Sequence, residues 1–332
     1  MNYKESKLIL AEIKKAKRIL VNCHRGPDLD SIGSALAMKY VLKSLDKEVT
    51  VICPSEKLYP DLSFLKDYER ISKNIDFNKY DFSNYDLLVT LDSSNWEMVT
   101  SDKSIPLVKL PIIVVDHHHT NTHYGMINLV DSKRSAVAEI LYLLFNDWKI
   151  EIDKDIATAL LTGILGDTGI FKFPNTSDKT FEIAYKLMKF GADKNLIIDN
   201  TFRNYDFKLI KFWGEVLNLA KLDKKYKFVY SFIPYEIYEK WGKQENAKEI
   251  ATDLFAQSTK GTNFGFVGLE VEKNKLSLSF RSKMDFDTSI VAMELGGGGH
   301  KAASGAKITG LPFEEAVEKV LHVARKYAKK NT

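Results

Sequence analysis

The sequence predicts an α/β protein. Its first part reads as a parallel sheet with helices on both faces, joined through a helical linker to a smaller α+β unit. Three observations carry this. Short runs rich in Val, Ile and Leu alternate with helical patterns over the first 190 residues, as buried parallel strands and their crossover helices do. Past residue 225 the texture changes to strands, a hairpin and helices. The length of 332 residues suits about two domains.

The elements follow in order. Arg18–Cys23, Glu48–Cys53, Leu87–Leu91 and Ile112–Val115 read as strands, and Ser31–Leu45 as the helix after the first. Val137–Phe145, Ile156–Leu165 and Lys179–Phe190 read as helices, with Gly191 suited to a C-terminal cap. Residues 191–225 are helical and rich in Lys and Asp, as a connector would be. Beyond them Lys227–Ile233 reads as a strand and Ala247–Ser258 as a helix. Asn263–Val271 and Lys275–Arg281 form a hairpin around Glu272–Asn274. Ser289–Leu295 is a short helix running into four glycines, and Pro312–Lys329 is the last helix. The expected domains are therefore 1–190 and 226–332, with 191–225 between them.

Composition narrows the class. Apolar residues make up 45% and charged residues 28%, which excludes a wholly disordered or fibrous chain. Cys23 and Cys53 are the only cysteines, so no disulfide framework exists and a reducing, cytoplasmic setting is expected. No export signal and no apolar run of membrane-spanning length is expected. The net charge of +4 permits an anionic ligand without announcing one. Four of the seven histidines lie between His117 and His123.

The chemistry-bearing residues sit at element ends. His24-Arg25-Gly26-Pro27-Asp28-Leu29-Asp30-Ser31 follows the first strand and opens a helix, where open α/β sheets bind ligands. An imidazole with carboxylates suits Mn²⁺ or another first-row divalent metal better than an all-oxygen cage. Asp30 or Ser31 reads equally as a helix cap. Asp92 ends the strand Leu87–Leu91, and Asp116-His117-His118-His119 follows Ile112–Val115. Asp167 lies in Gly163-Ile164-Leu165-Gly166-Asp167-Thr168-Gly169, which alone is also a glycine-rich helix end. Together they suit a centre of two cations about 4 Å apart. Gly296-Gly297-Gly298-Gly299-His300 carries an entropy cost that calls for a purpose. Its amides can approach phosphate or carboxylate oxygens, with His300 as a cationic donor. Arg281 and Ser282 could supply a second anion contact.

These motifs, taken in this order, resemble the DHH phosphoesterase superfamily, named for the triplet seen here as Asp116-His117-His118. His24-x-x-x-Asp28-x-Asp30, Asp92, Asp116-His117-His118 and Asp167 match its four N-terminal motifs. Ser279-Phe280-Arg281-Ser282 with Gly296–His300 is similar to its associated C-terminal domain. The two-domain length is similar to the branch of short oligoribonucleases and 3′-phosphoadenosine-5′-phosphate phosphatases. The resemblance implies that His24, Asp28 and Asp92 hold one Mn²⁺ and that Asp30, Asp92, His117 and Asp167 hold another, with Asp92 bridging and Mg²⁺ or Co²⁺ as substitutes. It implies that His118 faces the scissile phosphate and that Asp116 orients a ligand histidine. Arg281, Ser282, Gly297, Gly298, Gly299 and His300 would bind the far end of the nucleotide, across an interdomain cleft. Leu29, His119 and Ser135-Ala136-Val137-Ala138-Glu139 depart from the family pattern without removing a ligand.

The expected activity is manganese-dependent hydrolysis of short single-stranded RNA or DNA to mononucleotides by a hydroxide shared between two metals. 3′-Phosphoadenosine-5′-phosphate is a second expected substrate. Alternatives are a cyclic or linear dinucleotide phosphodiesterase, a pyrophosphatase or polyphosphatase, and a non-catalytic nucleotide- or RNA-binding protein. A homodimer is compatible with the sequence.

Overall fold

A computed structural model describes residues 2–58, 61–243, 247–283, 285–299 and 301–329. The chain divides into two units, Met1–Asn204 and Tyr205–Thr332. Within residues 191–225, the helix Lys194–Thr201 gives Ile197 to the first unit's core, and Phe207–Asn218 gives Leu209, Phe212 and Val216 to a core of the second.

The first unit runs α1 (Ser6–Lys15), β1 (Arg18–Asn22), α2 (Leu29–Ser44), β2 (Glu48–Ile52), β3 (Leu87–Leu91), α3 (Trp96–Thr100), β4 (Ile112–Asp116), β5 (Ile127–Val130), α4 (Val137–Asp147), α5 (Lys154–Asp167), α6 (Asp178–Lys189) and α7 (Lys194–Thr201). Its five strands are all parallel, in the order β2-β1-β3-β4-β5. Side chains alternate across such a sheet. Ile19, Val21, Leu87, Val89, Ile113 and Val115 join the core built with α1, α2, α4 and α5. Leu20, Leu88, Ile112 and Val114 face the other way, onto Phe77, Val99 and Ile105. Helices α2 and α5 pack closely: a Cβ on Gly33 would stand 2.5 Å from the Ala159 carbonyl oxygen. The chain leaves β1 for β2 on one side and returns to β3 on the other, so β1 and β3 flank the switch point of the sheet, where ligands bind in such folds.

The second unit runs α8 (Phe207–Asn218), β6 (Lys221–Asp223), β7 (Phe228–Ile233), α9 (Tyr235–Lys240), α10 (Ala247–Phe255), β8 (Phe264–Glu272), β9 (Lys275–Ser282), α11 (Thr288–Glu294), β10 (Gly298–Gly299), β11 (Ala303–Thr309) and α12 (Phe313–Ala328). Its six strands lie in the order β10-β11-β9-β8-β7-β6 and are antiparallel except for the β7–β8 pair. The β8–β9 hairpin turns through Asn274 in the left-handed region (φ +62°). Strands β5, β6, β10 and β11 and helices α1, α3 and α9 come in addition to the sequence expectation. Apart from α1, whose Ile9 and Ile13 are spaced one turn apart and join the core, they are short or built of small and polar residues, so no apolar period marks them. Among the described residues no helix is long and apolar enough to cross a membrane.

Candidate metal centre

Four chain segments converge at the C-terminal end of the first sheet. After β1, the main-chain N–H of His24 donates to Ser31 Oγ (3.0 Å), and its Nδ1 lies 2.8 Å from the Arg25 carbonyl oxygen. A carbonyl only accepts, so Nδ1 carries the proton and Nε2 is the nitrogen left to face a metal. That Nε2 stands 3.4 Å from Asp92 Oδ2 and 3.8 Å from Asp28 Oδ1.

Asp28 caps α2, its Oδ1 accepting from the N–H groups of Asp30 (3.0 Å) and Ser31 (2.9 Å). The cap is thus Asp28, not Asp30 or Ser31. Asp30, wholly buried, accepts instead from the first N–H groups of α4, Val137 at 2.6 Å and Ala138 at 3.1 Å, and from Ser34 Oγ at 2.9 Å.

Asp92 ends β3 in the left-handed region (φ +53°), which Asp tolerates better than most residues. The turn sends its carboxylate inward, where it is 2% exposed. His117 follows β4 and sets Nδ1 3.3 Å from the Arg134 carbonyl oxygen, so its Nε2 turns to Asp92 Oδ1 (3.4 Å) and Asp167 Oδ2 (3.2 Å). Asp167 is the last residue of α5, and its carbonyl accepts from Asn175 Nδ2 (3.0 Å).

Three groups of these residues place ligand atoms close enough to hold a metal ion: His24, Asp28 and Asp92; Asp30, His117 and Asp167; and Asp92, His117 and His118. Donor chemistry and electrostatics fit a divalent cation. Asp92 Oδ1 is buried without a hydrogen bond, a costly state unless a cation lies against it. Burial and then the nearby charge of Asp92 push the Asp30 carboxyl up to about 7. Burial, then Asp30, Asp28 and Asp92, push Asp167 up as well. Burial also disfavours charge on Asp92, His24 and His117. Their mutual contacts outweigh it, holding Asp92 below and both imidazoles well above their ordinary ranges. Crowded carboxylates that retain protons and imidazoles that acquire them mark a place short of positive charge. Mixed imidazole and carboxylate ligands suit first-row divalent metals.

Asp116 is wholly buried and stands behind these groups. Its Oδ1 accepts from the His117 main-chain N–H and lies 2.8 Å from His118 Nδ1; its Oδ2 accepts from Asn121 Nδ2 at 2.6 Å. The ring it orients is therefore that of His118. Burial works against a charged His118, but the Asp116 hydrogen bond and the Asp92 charge outweigh it and raise its pKa. Sequence reasoning passed over Asn121, Asn175 and Ser34, because single polar residues carry no periodic signal.

The second-unit candidates have their own local roles. Gly296 (φ +82°) and Gly297 close α11, donating to the carbonyls of Met293 (3.0 Å) and Ala292 (2.8 Å), the paired bonds of a left-handed helix cap. The Gly297 amide is thus committed, and a Cβ there would strike the Gly305 carbonyl. Gly298 and Gly299 pair with Gly305 and Ser304, and of these two only Gly298 leaves open space where a Cβ would stand. Arg281 donates to Asp253 through Nε (2.5 Å) and to Ser279 Oγ (3.1 Å); Ser282 donates its N–H to the Ala302 carbonyl (2.8 Å). His300 lies outside the described residues.

Comparison with known proteins agrees with this architecture. Residues 18–164 match the DHH family, N-terminal domain, and residues 225–330 match the DHHA1 domain. The chain is 30% identical over 328 residues to the bifunctional oligoribonuclease and PAP phosphatase NrnA of Thermus thermophilus, covering 97% of this chain and 94% of that one. It is 27% identical over 303 residues to the protein of the same name from Bacillus subtilis, covering 87% and 89%. An exopolyphosphatase-related protein from Bacteroides fragilis superposes with a TM-score of 0.88 at 25% identity, covering 98% of this chain and 96% of that one. The chain belongs to the DHH family and is a phosphoester-hydrolysing enzyme of that family.

Proposed function

We propose that this enzyme is a cytoplasmic, manganese-dependent exonuclease of short oligonucleotides that also dephosphorylates 3′-phosphoadenosine-5′-phosphate. The observation that carries the reading is the buried Asp92 carboxylate, set between the ligating nitrogens of His24 and His117 with one oxygen lacking a hydrogen bond. His24, Asp28 and Asp92 would hold one cation; Asp30, Asp92, His117 and Asp167 would hold a second, with Asp92 shared. Such cations, when bound, lower the pKa of water towards neutrality and polarise phosphoryl oxygens. The Arg134 carbonyl and the α4 amides fix the ligands from behind. His118, its Nδ1–H given to Asp116, presents Nε2 to a phosphoryl oxygen and steadies the charge that develops there. Of Gly297, Gly298 and Gly299 in the second unit, Gly298 is the one whose open face admits a close approach. Arg281, already paired with Asp253, would have to share its guanidinium with a phosphate. The names of the Thermus and Bacillus relatives support the substrate class.

A turnover panel with added manganese tests this reading. It compares a dinucleotide, a pentanucleotide, 3′-phosphoadenosine-5′-phosphate, a cyclic dinucleotide and pyrophosphate. The dinucleotide and the bisphosphate should turn over fastest. Fastest turnover of pyrophosphate or of the cyclic dinucleotide would overturn the proposal.

A further inference from the structure

The loop after β4 is built around a side chain with no assigned role. Asn121 is 9% exposed. Its Nδ2 donates to Asp116 Oδ2 (2.6 Å) and to the Ser93 carbonyl (3.2 Å), its Oδ1 accepts from the His123 N–H (2.7 Å), and its own N–H donates to the His118 carbonyl (3.1 Å). Ser93 follows Asp92, so this one amide ties the end of β3 to the end of β4. A carboxylate turns readily about its last torsion. With Oδ1 engaged by His117 and His118, the bond from Asn121 to Oδ2 fixes the carboxylate plane and the oxygen that meets His118.

We propose that Asn121 is a positioning residue that acts through Asp116 to hold the His118 ring in its working orientation. The proposal rests on the reading of His118 as the group that faces the phosphoryl oxygens. A simple loop staple would have a different signature, because loosening the β3 and β4 exits would disturb Asp92 and His117 and hence metal binding.

The test is a double-mutant cycle on the manganese-loaded enzyme, using the fastest substrate of the panel above. Asn121→Ala, His118→Ala and the double variant are compared for kcat, KM and, by calorimetry, manganese affinity. Asn121→Asp is the second probe: it keeps an acceptor for the His123 N–H but removes the donor to Asp116. Both Asn121 variants should lower kcat about 10- to 100-fold, the range for outer-shell partners, with KM and manganese affinity unchanged. In the double variant the Asn121 change should add nothing to the loss caused by His118→Ala, since coupled residues are not additive. Full multiplication of the two losses, an unchanged kcat in Asn121→Ala, or a parallel fall in manganese affinity would overturn the proposal. An unchanged kcat in His118→Ala would overturn it too, and that result alone would remove the role assigned to His118.

Discussion

Asp30 closes a helix that begins 107 residues later: its Oδ2 accepts the Val137 N–H at 2.6 Å, and Ala138 donates to its Oδ1 at 3.1 Å. A carboxylate at a helix N-terminus is favoured by the helix dipole. The same bonds leave little room for the group to move. Asp30 is thus both the cap of α4 and a candidate ligand, and the packing of α2 on α5 decides where it sits.

Gly163 keeps that place open. A Cβ there would strike Asp30 Oδ1 and stand 2.9 Å from Ala138 Cβ. Gly163→Ala should cost about 1–3 kcal/mol of stability, as overpacking does, and weaken manganese binding. Urea unfolding and calorimetry on the same sample check both effects.

Asp92→Asn keeps the size and the left-handed turn but removes the charge shared by the two metal groups. Activity should fall at least about 10³-fold, roughly 4 kcal/mol in the transition state. The melting temperature without metal should fall, because the contacts with His24 and His117 favour the Asp92 charge in the folded state and that charge is lost. Near-normal turnover would remove Asp92 from the centre.

Metal-free stability should depend on pH in a defined direction. Burial, helped by Asp92, raises Asp30 from its ordinary 3.8 to about 7, so between about pH 4 and 7 the folded state holds a proton that the unfolded state has lost. Raising the pH therefore favours unfolding. His24 and His117 are also raised, and their contribution is present below their ordinary 6.5 and lost as the pH rises through their folded values. In chelator, the melting temperature should fall from pH 5 to pH 8. With manganese that fall should shrink or reverse, because metal binding releases these protons. Equal slopes with and without metal would contradict it.

Two neighbouring glycines in the second unit separate fold from ligand. Gly299 (φ +134°) has no space for a Cβ, which would stand 2.6 Å from Ser304 Cα, whereas Gly298 meets nothing within 4 Å. Gly299→Ala should destabilise the protein by about 1–3 kcal/mol through overpacking and backbone strain. Gly298→Ala should melt like the parent and raise KM for a dinucleotide. A normal KM would show that no ligand approaches there.

Much of the first unit was legible because its chemistry sits where apolar strands stop. Runs such as Leu87–Leu91 and Ile112–Val115 declare themselves, and the Asp or His after each marks an exit. What the sequence left hidden was pairing at a distance. Nothing near Asp30 says that it caps α4, nor does Asp116 declare that its partner is the ring of His118. The glycine run was legible as purposeful but not in its use: Gly296 and Gly297 finish α11, and the next two form β10. That depends on β11, whose small residues give no strand signal. Asn121 shows the same limit, since one asparagine in a polar loop looks like any other.

The order in which the ligands occur along the chain has a consequence for synthesis. His24 and Asp28 emerge first, but the candidate group they form also includes Asp92, and another candidate group includes Asp167, at the far end of α5. Loop closure over such separations comes late in folding. A ribosome-bound chain that has not yet released α5 should therefore be unable to assemble the full centre. Hydrolytic capacity would then appear only after the first unit has been made.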